Sequence, residues 1–135
     1  MLLCDYAEVL NGKLYVMGGG WSKVIKNNER PFVNVTIAGM IYFQWNDANH
    51  RKNVDISLFT QDGQPVLQND VPVQLRGPAE VGRPPGLVNG TEIELPIATR
   101  FEGLFLDAGR YEWRLSIDDE RLATSVFDVM DASAL

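Results

Sequence analysis

A chain of 135 residues, 45% hydrophobic and 22% charged, has the length and apolar content of one domain, taken as residues 1–135. It lacks the bias of a disordered chain and has no apolar run long enough for a membrane helix. Its net charge of -6, with Arg51-Lys52 as the only adjacent pair of bases, argues against nucleic acid and anionic membranes as partners.

The start, "MLLCDYAEVL", has no basic segment, and Asp5 and Glu8 interrupt its apolar run, so it does not read as a signal peptide. Cys4 is the only cysteine and excludes an intrachain disulfide. Together these predict a protein kept in a reducing cytoplasm. Asn11-Gly12, between "CDYAEVL" and "KLYVM", predicts a tight hairpin.

Gly18-Gly19-Gly20-Trp21 follows, at the end of a predicted strand. A phosphate loop needs G-x-x-x-x-G-K-[ST] and a dinucleotide fingerprint needs G-x-G-x-x-G, each opening a helix. Here Ser22 and Lys23 stand in the wrong order, and "VIKNNERP" has no helical face. The glycines read as a bulge, a positive φ or a close approach, with Trp21 covering the gap they leave. The rival reading is functional, a glycine floor beside Trp21 that accepts a partner's backbone or a sugar ring.

"PFVNVTIAGMIYFQW" puts Val33, Val35, Ile37, Gly39, Ile41, Phe43 and Trp45 on one apolar face and Phe32, Asn34, Thr36, Ala38, Met40, Tyr42 and Gln44 on a mixed one, and Gly39 predicts a bulge or bend. "WNDANHR" then places Asn49, His50 and Arg51 on a polar loop held by that strand, with Trp45 expected in the core. "NVDISLFT" buries Val54, Ile56 and Leu58, and "DVPVQL" is read as burying Val71, Val73 and Leu75. Gln61–Gln64 reads as a turn.

Residues 76–90, "RGPAEVGRPPGLVNG", hold four glycines and three prolines and are expected to form neither helix nor ladder. Arg83, Pro84 and Pro85 would present a cation on a stiff turn, either to a partner or as part of an ordered crossover. "TEIELPIA" alternates with Pro96 marking an edge strand. Glu92 and Glu94 lie about 6–7 Å apart by the strand rise. They read as a solvated pair, opposite Arg110 and Arg114, rather than as a glycosidase dyad.

"RYEWRLSID" buries Tyr111, Trp113, Leu115 and Ile117, and "SVFDVM" adds Phe127 and Val129. Asp118-Asp119-Glu120 reads as a charged turn rather than a calcium loop. With about seven to nine short strands, the fold expected is all-β, an antiparallel sandwich. Tyr111, just after the Asp107-Ala108-Gly109 turn, looks like the tyrosine corner of an immunoglobulin-like or fibronectin-like domain, with other sandwich or jelly-roll topologies as alternatives.

His50, the only histidine, and Cys4 offer no nucleophile–base motif, and one of each makes no Cys/His metal site, so no cofactor, metal or catalytic residue is assigned. Three functions follow. The first is a non-enzymatic interaction or structural domain that assembles with itself or a larger protein complex. The second is a carbohydrate or small-ligand binding module built on Trp21 and Trp45, and the third an enzyme of unrecognised type. The residues expected to meet a partner are Gly18, Gly19, Gly20, Trp21, Asn49, His50, Arg51, Arg83, Pro84 and Pro85.

"LLCDYAEVLNGKLYVMGGGW", "WNDANHRK", "DGQPV", "EVGRPPGL" and "GRYEWRLSIDDE" together resemble an uncharacterised family of small β-sandwich proteins from actinobacteria and their phages. The resemblance spans nearly the whole chain and departs at Cys4, where a small residue such as alanine is expected. It implies a cytoplasmic domain, or a phage-encoded accessory or virion component, and transfers no activity and no site residue.

Overall fold

The alternating segments form strands in a computed structural model that describes residues 1–134. In chain order these are β1 (Leu2–Leu10), β2 (Lys13–Gly19), β3 (Lys23–Lys26), β4 (Val33–Phe43), β5 (Lys52–Thr60), β6 (Leu67–Gln68), β7 (Val71–Pro72), β8 (Gln74–Ala79), β9 (Ile93–Leu104), β10 (Gly109–Ile117) and β11 (Glu120–Asp131). The only helical turns among the described residues are 3-10, at Trp45–Asp47 and Ala132–Ala134.

One sheet has the order β2-β1-β4-β9 and the other β3-β11-β10-β5-β8, while β6 and β7 form a two-stranded ribbon. The expected burial of one parity of β4 holds from Val33 to Phe43, and that of β10 holds at Tyr111, Trp113 and Leu115. The two faces meet in one core. Phe101 of the first sheet lies 4.6 Å, ring centre to ring centre, from Trp113 of the second, and Trp113 stacks on Phe127 at 6.5 Å. Leu3, Val35, Ile37, Ile56 and Leu58 fill in around them. Burial of such apolar side chains is the main force holding the sheets together, at about 1.5–3 kcal/mol for each large one.

The turns follow their sequence chemistry. Asn11 and Gly12 take φ of 51° and 72°, and Asp118 and Asp119 take 49° and 67°, as two-residue hairpin turns require. Pro96 sits on β9, an edge strand, where its missing N–H costs no ladder bond.

Several expectations are corrected. The sheets are not purely antiparallel: β3 runs parallel to β11, from Lys23 opposite Asp128 to Lys26 opposite Asp131. Residues 27–119 lie between those strands, ample for the long connection that a parallel pair needs. Gly39 marks no bulge. A Cβ there would lie 3.3 Å from the Met1 Cα, so glycine lets the N-terminal backbone pass. The bulge lies at Gly103 instead. Val33 pairs with Leu104 and Val35 with Phe101, so β9 carries the extra residue, and Asn34 Oδ1 accepts the Gly103 N–H at 2.8 Å.

"DVPVQL" is not one strand. Val73 is buried, but Val71 is 62% exposed in the β6–β7 ribbon, and Leu75 stands 47% exposed on the open edge strand β8. Residues 76–79, expected to avoid a ladder, pair with β5 from Asp55 opposite Arg76 to Lys52 opposite Ala79. An edge strand tolerates Pro78 for the same reason that β9 tolerates Pro96. Glu94 pairs with Tyr42 on β4, whereas Arg110 and Arg114 belong to the other sheet and bind Asp128 and Glu112.

Candidate functional site

The expected contact residues fall into two groups at the two ends of β4. Gly19 lies opposite Cys4, which pairs with Thr36 near the start of β4, whereas the second group follows Phe43 at its end.

At the C-terminal end, the 45–51 loop and the 80–86 segment form one surface. The Asn49 N–H donates to the Val81 carbonyl at 2.8 Å. Arg83 lies over the Trp45 ring, 4.4 Å from its centre, and donates from Nε and Nη2 to the Trp45 carbonyl at 3.2 and 2.8 Å. Trp45 is therefore half-buried under Arg83 rather than in the core, and the arginine is folded onto its own chain. Asn49, His50, Arg51, Pro84 and Pro85 are exposed around this pair.

At the N-terminal end, the three glycines carry the chain from one sheet to the other. Gly18 and Gly20 take φ of 61° and 87°, and the Gly20 N–H donates to the Leu3 carbonyl at 2.8 Å. A side chain on Gly18 would collide with the Asp5 carboxylate, and one on Gly19 would meet Val16 Cγ1 at 2.8 Å and Leu2 Cδ1 at 3.1 Å. Gly18 and Gly19 are covered by β1 and β2 side chains and Gly20 faces open space; none is covered by Trp21 as expected. Trp21 has turned to the second sheet, edge-on to Phe127 with ring centres 6.2 Å apart. It walls an open cleft of about 480 Å³ together with Phe32, and Lys23, Arg30, Asn34 and Arg100 line the same space.

The β1–β2 hairpin rises beside this cleft. Only Leu2, Leu3 and Cys4 of β1 pair with β4; from Tyr6 to the turn, β1 pairs with β2 alone. No side chain from Asp5 to Gly20 is buried. Tyr15, Val16 and Met17 on the outer strand are 49%, 38% and 67% exposed. Arg100 ties the base of the hairpin, its Nη1 donating to the Asp5 carbonyl at 3.0 Å and to Thr36 Oγ1 at 3.2 Å.

A model of a family described as a family of unknown function, DUF6941, matches residues 1–130. The chain belongs to that family. No curated protein and no solved structure matches it. Membership in an uncharacterised family over residues 1–130 agrees with the uncharacterised, nearly chain-long character of the resemblance, and carries nothing about actinobacterial or phage origin.

The Cys4 thiol is buried and directed at the Thr36 carbonyl at 3.5 Å, and burial, with the Asp5 charge, pushes its pKa up, opposite to the shift that activates a nucleophile. Asp118 and Asp119 lie within 3.8 Å of Lys52 and 3.3 Å of Arg76. No helix among the described residues is long and apolar enough to cross a membrane. Sequence reading missed the cleft because its residues come from β1, the β2–β3 connection, β3, the β3–β4 loop, β4 and β9, and no spacing along the chain brings these together. It also missed the apolar edge of β2, whose alternation does not reveal which side has a neighbour.

Proposed function

We propose that this chain is a non-enzymatic interaction domain of immunoglobulin-like sandwich form that assembles by adding a protein strand to β2. The observation that carries this reading is the contrast among the four sheet edges. Folded proteins protect edges with proline, charge or shortness, because an open edge templates pairing with another chain. β9 carries Pro96, Glu94, Arg100 and Glu102. β8 carries Pro78 and Arg76, and β3 has four residues, two of them lysines. β2 is seven residues long, has no proline and one charge, Lys13, and exposes Tyr15, Val16 and Met17. A second copy is the simplest occupant, because a two-fold axis presents the same edge from both sides.

The finer fold is supported by strand order. β10 lies between β5 and β11, as strand F lies between C and G in an immunoglobulin sheet. Tyr111 opens β10 two residues before Trp113, which occupies the place of the second disulfide cysteine. A buried aromatic cluster replaces the disulfide.

Light scattering on the wild type and on Met17→Lys and Tyr15→Glu tests the assembly reading. The wild type is expected at twice the monomer mass, and each variant as a folded monomer. A wild type that remains monomeric at high concentration overturns self-pairing through β2.

A further inference from the structure

The cleft beside Trp21 is a second, independent site, and the geometry points to a small organic anion with a flat apolar body as its ligand. Three cations line it, Lys23 from β3, Arg30 from the β3–β4 loop and Arg100 from β9, in a protein of net charge -6. Neither Lys23 nor Arg30 has a carboxylate within 4 Å among the described residues. Arg100 is held from behind by Glu102 and the Asp5 carbonyl, so its position is set before any ligand arrives. Asp5 is the one carboxylate among the lining residues. It is packed against Gly18 and makes no ion pair with the three cations. Arg100 is paired with Glu102 and Lys23 has Asp128 opposite it on β11, but the Lys23 and Arg30 head groups are without a salt-bridge partner among the described residues.

The rest of the lining fixes the shape of the ligand. Asn34 spends its carbonyl oxygen on the Gly103 N–H, which leaves its amide hydrogens as donors toward the cleft. Trp21, Val24, Ile25, Phe32 and Val33 supply apolar wall. Phe32 is steadied edge-on by Phe105, with ring centres 6.1 Å apart. Guanidinium, ammonium and amide donors over apolar wall suit a carboxylate or phosphate attached to a ring, the head held by charge-assisted hydrogen bonds and the ring against the aromatic side chains. A sugar would leave the cations unused. The site does not depend on the β2 edge being an interface.

Titration calorimetry with phenyl phosphate, benzoate, inorganic phosphate and phenol tests this. Phenyl phosphate or benzoate is expected to bind at one site, more tightly than inorganic phosphate, and phenol not to bind. Lys23→Gln and Arg30→Gln should each weaken the aryl anion about tenfold, from the loss of one charge-assisted contact. Arg121→Gln, which removes an exposed charge elsewhere, should leave binding unchanged. Circular dichroism of each variant separates lost binding from lost fold. The site is overturned if none of the anions binds or if folded Lys23→Gln and Arg30→Gln bind as wild type does. Equal affinity for inorganic phosphate and phenyl phosphate overturns the apolar body. Binding of a polyglutamate peptide in place of the small anions overturns the ligand class in favour of an acidic protein segment.

Discussion

The Tyr111 hydroxyl donates to the Asp107 carbonyl at 2.7 Å, tying the entry of β10 back onto the turn that precedes it. The ring stacks on Phe127 with centres 5.8 Å apart, so the side chain is held at both ends. Tyr111→Phe keeps the stacking and removes the tie, and should cost about 1–1.5 kcal/mol in urea unfolding at neutral pH.

The same phenol gives a pH signature. Burial first, and the Asp107 charge second, raise its pKa above the ordinary tyrosine value. A group raised on folding contributes stability below its unfolded pKa, near 10, and loses it as pH climbs through the folded value. The gap between wild type and Tyr111→Phe is therefore expected to narrow above about pH 10. A gap that widens there contradicts the assignment.

On the acid side the sign reverses. Arg110 binds Asp128 through two contacts, of 2.8 and 3.2 Å, and this hydrogen bonding holds the carboxyl below its ordinary pKa. Its contribution is present above the unfolded carboxyl pKa and fades as pH falls through the lower, folded value. Asp128→Asn should flatten the acid limb of the stability profile below about pH 4 and leave the alkaline limb unchanged.

Most of the strand framework was legible in the residues themselves. β4, β5, β10 and β11 each bury an apolar parity set by the chain alone, and Asn11-Gly12 specifies its turn without help. What the sequence did not disclose depends on neighbours. Leu75 alternates like a core residue, yet β8 has no strand beyond it, and Leu75 stays half in solvent. Gly39 looks like a kink, but its small size accommodates Met1, a residue 38 positions away. Arg83 looks like a presented cation, yet Trp45 lies within its reach only once β4 and β8 are in place. Local alternation reports burial; it does not report which edge is open or which distant side chain is adjacent.

The glycine run separates backbone strain from crowding. Gly20 has a left-handed φ of 87° and open space where a Cβ would go, so Gly20→Ala should cost only the strain, about 1 kcal/mol. Gly18 adds a collision with Asp5 to a φ of 61°, so Gly18→Ala should cost about 2–3 kcal/mol. Gly19 lacks the positive φ, but a Cβ there meets Val16 Cγ1 at 2.8 Å, on a β-branched side chain that turns only with difficulty, so Gly19→Ala should cost at least as much as Gly20→Ala. Equal losses at positions 18 and 20 would mean that Asp5 swings aside at no cost.

Trp113 sits at the centre of the core with 0% exposure, and its Nε1 is buried with no hydrogen-bond partner among the described residues. Two terms therefore oppose each other on substitution. Removing the indole opens a cavity between Phe101 and Phe127, and Trp→Ala changes of that kind cost about 3–5 kcal/mol. Removing only the N–H relieves an unsatisfied donor that costs about 1–3 kcal/mol. Trp113→Phe gives up the second ring but also sheds the orphan donor, so the two terms partly cancel, and a loss of about 1–2 kcal/mol is expected against the larger loss in Trp113→Ala. If Trp113→Phe costs as much as Trp113→Ala in urea unfolding, the indole N–H is not an unsatisfied donor but is met by a buried water.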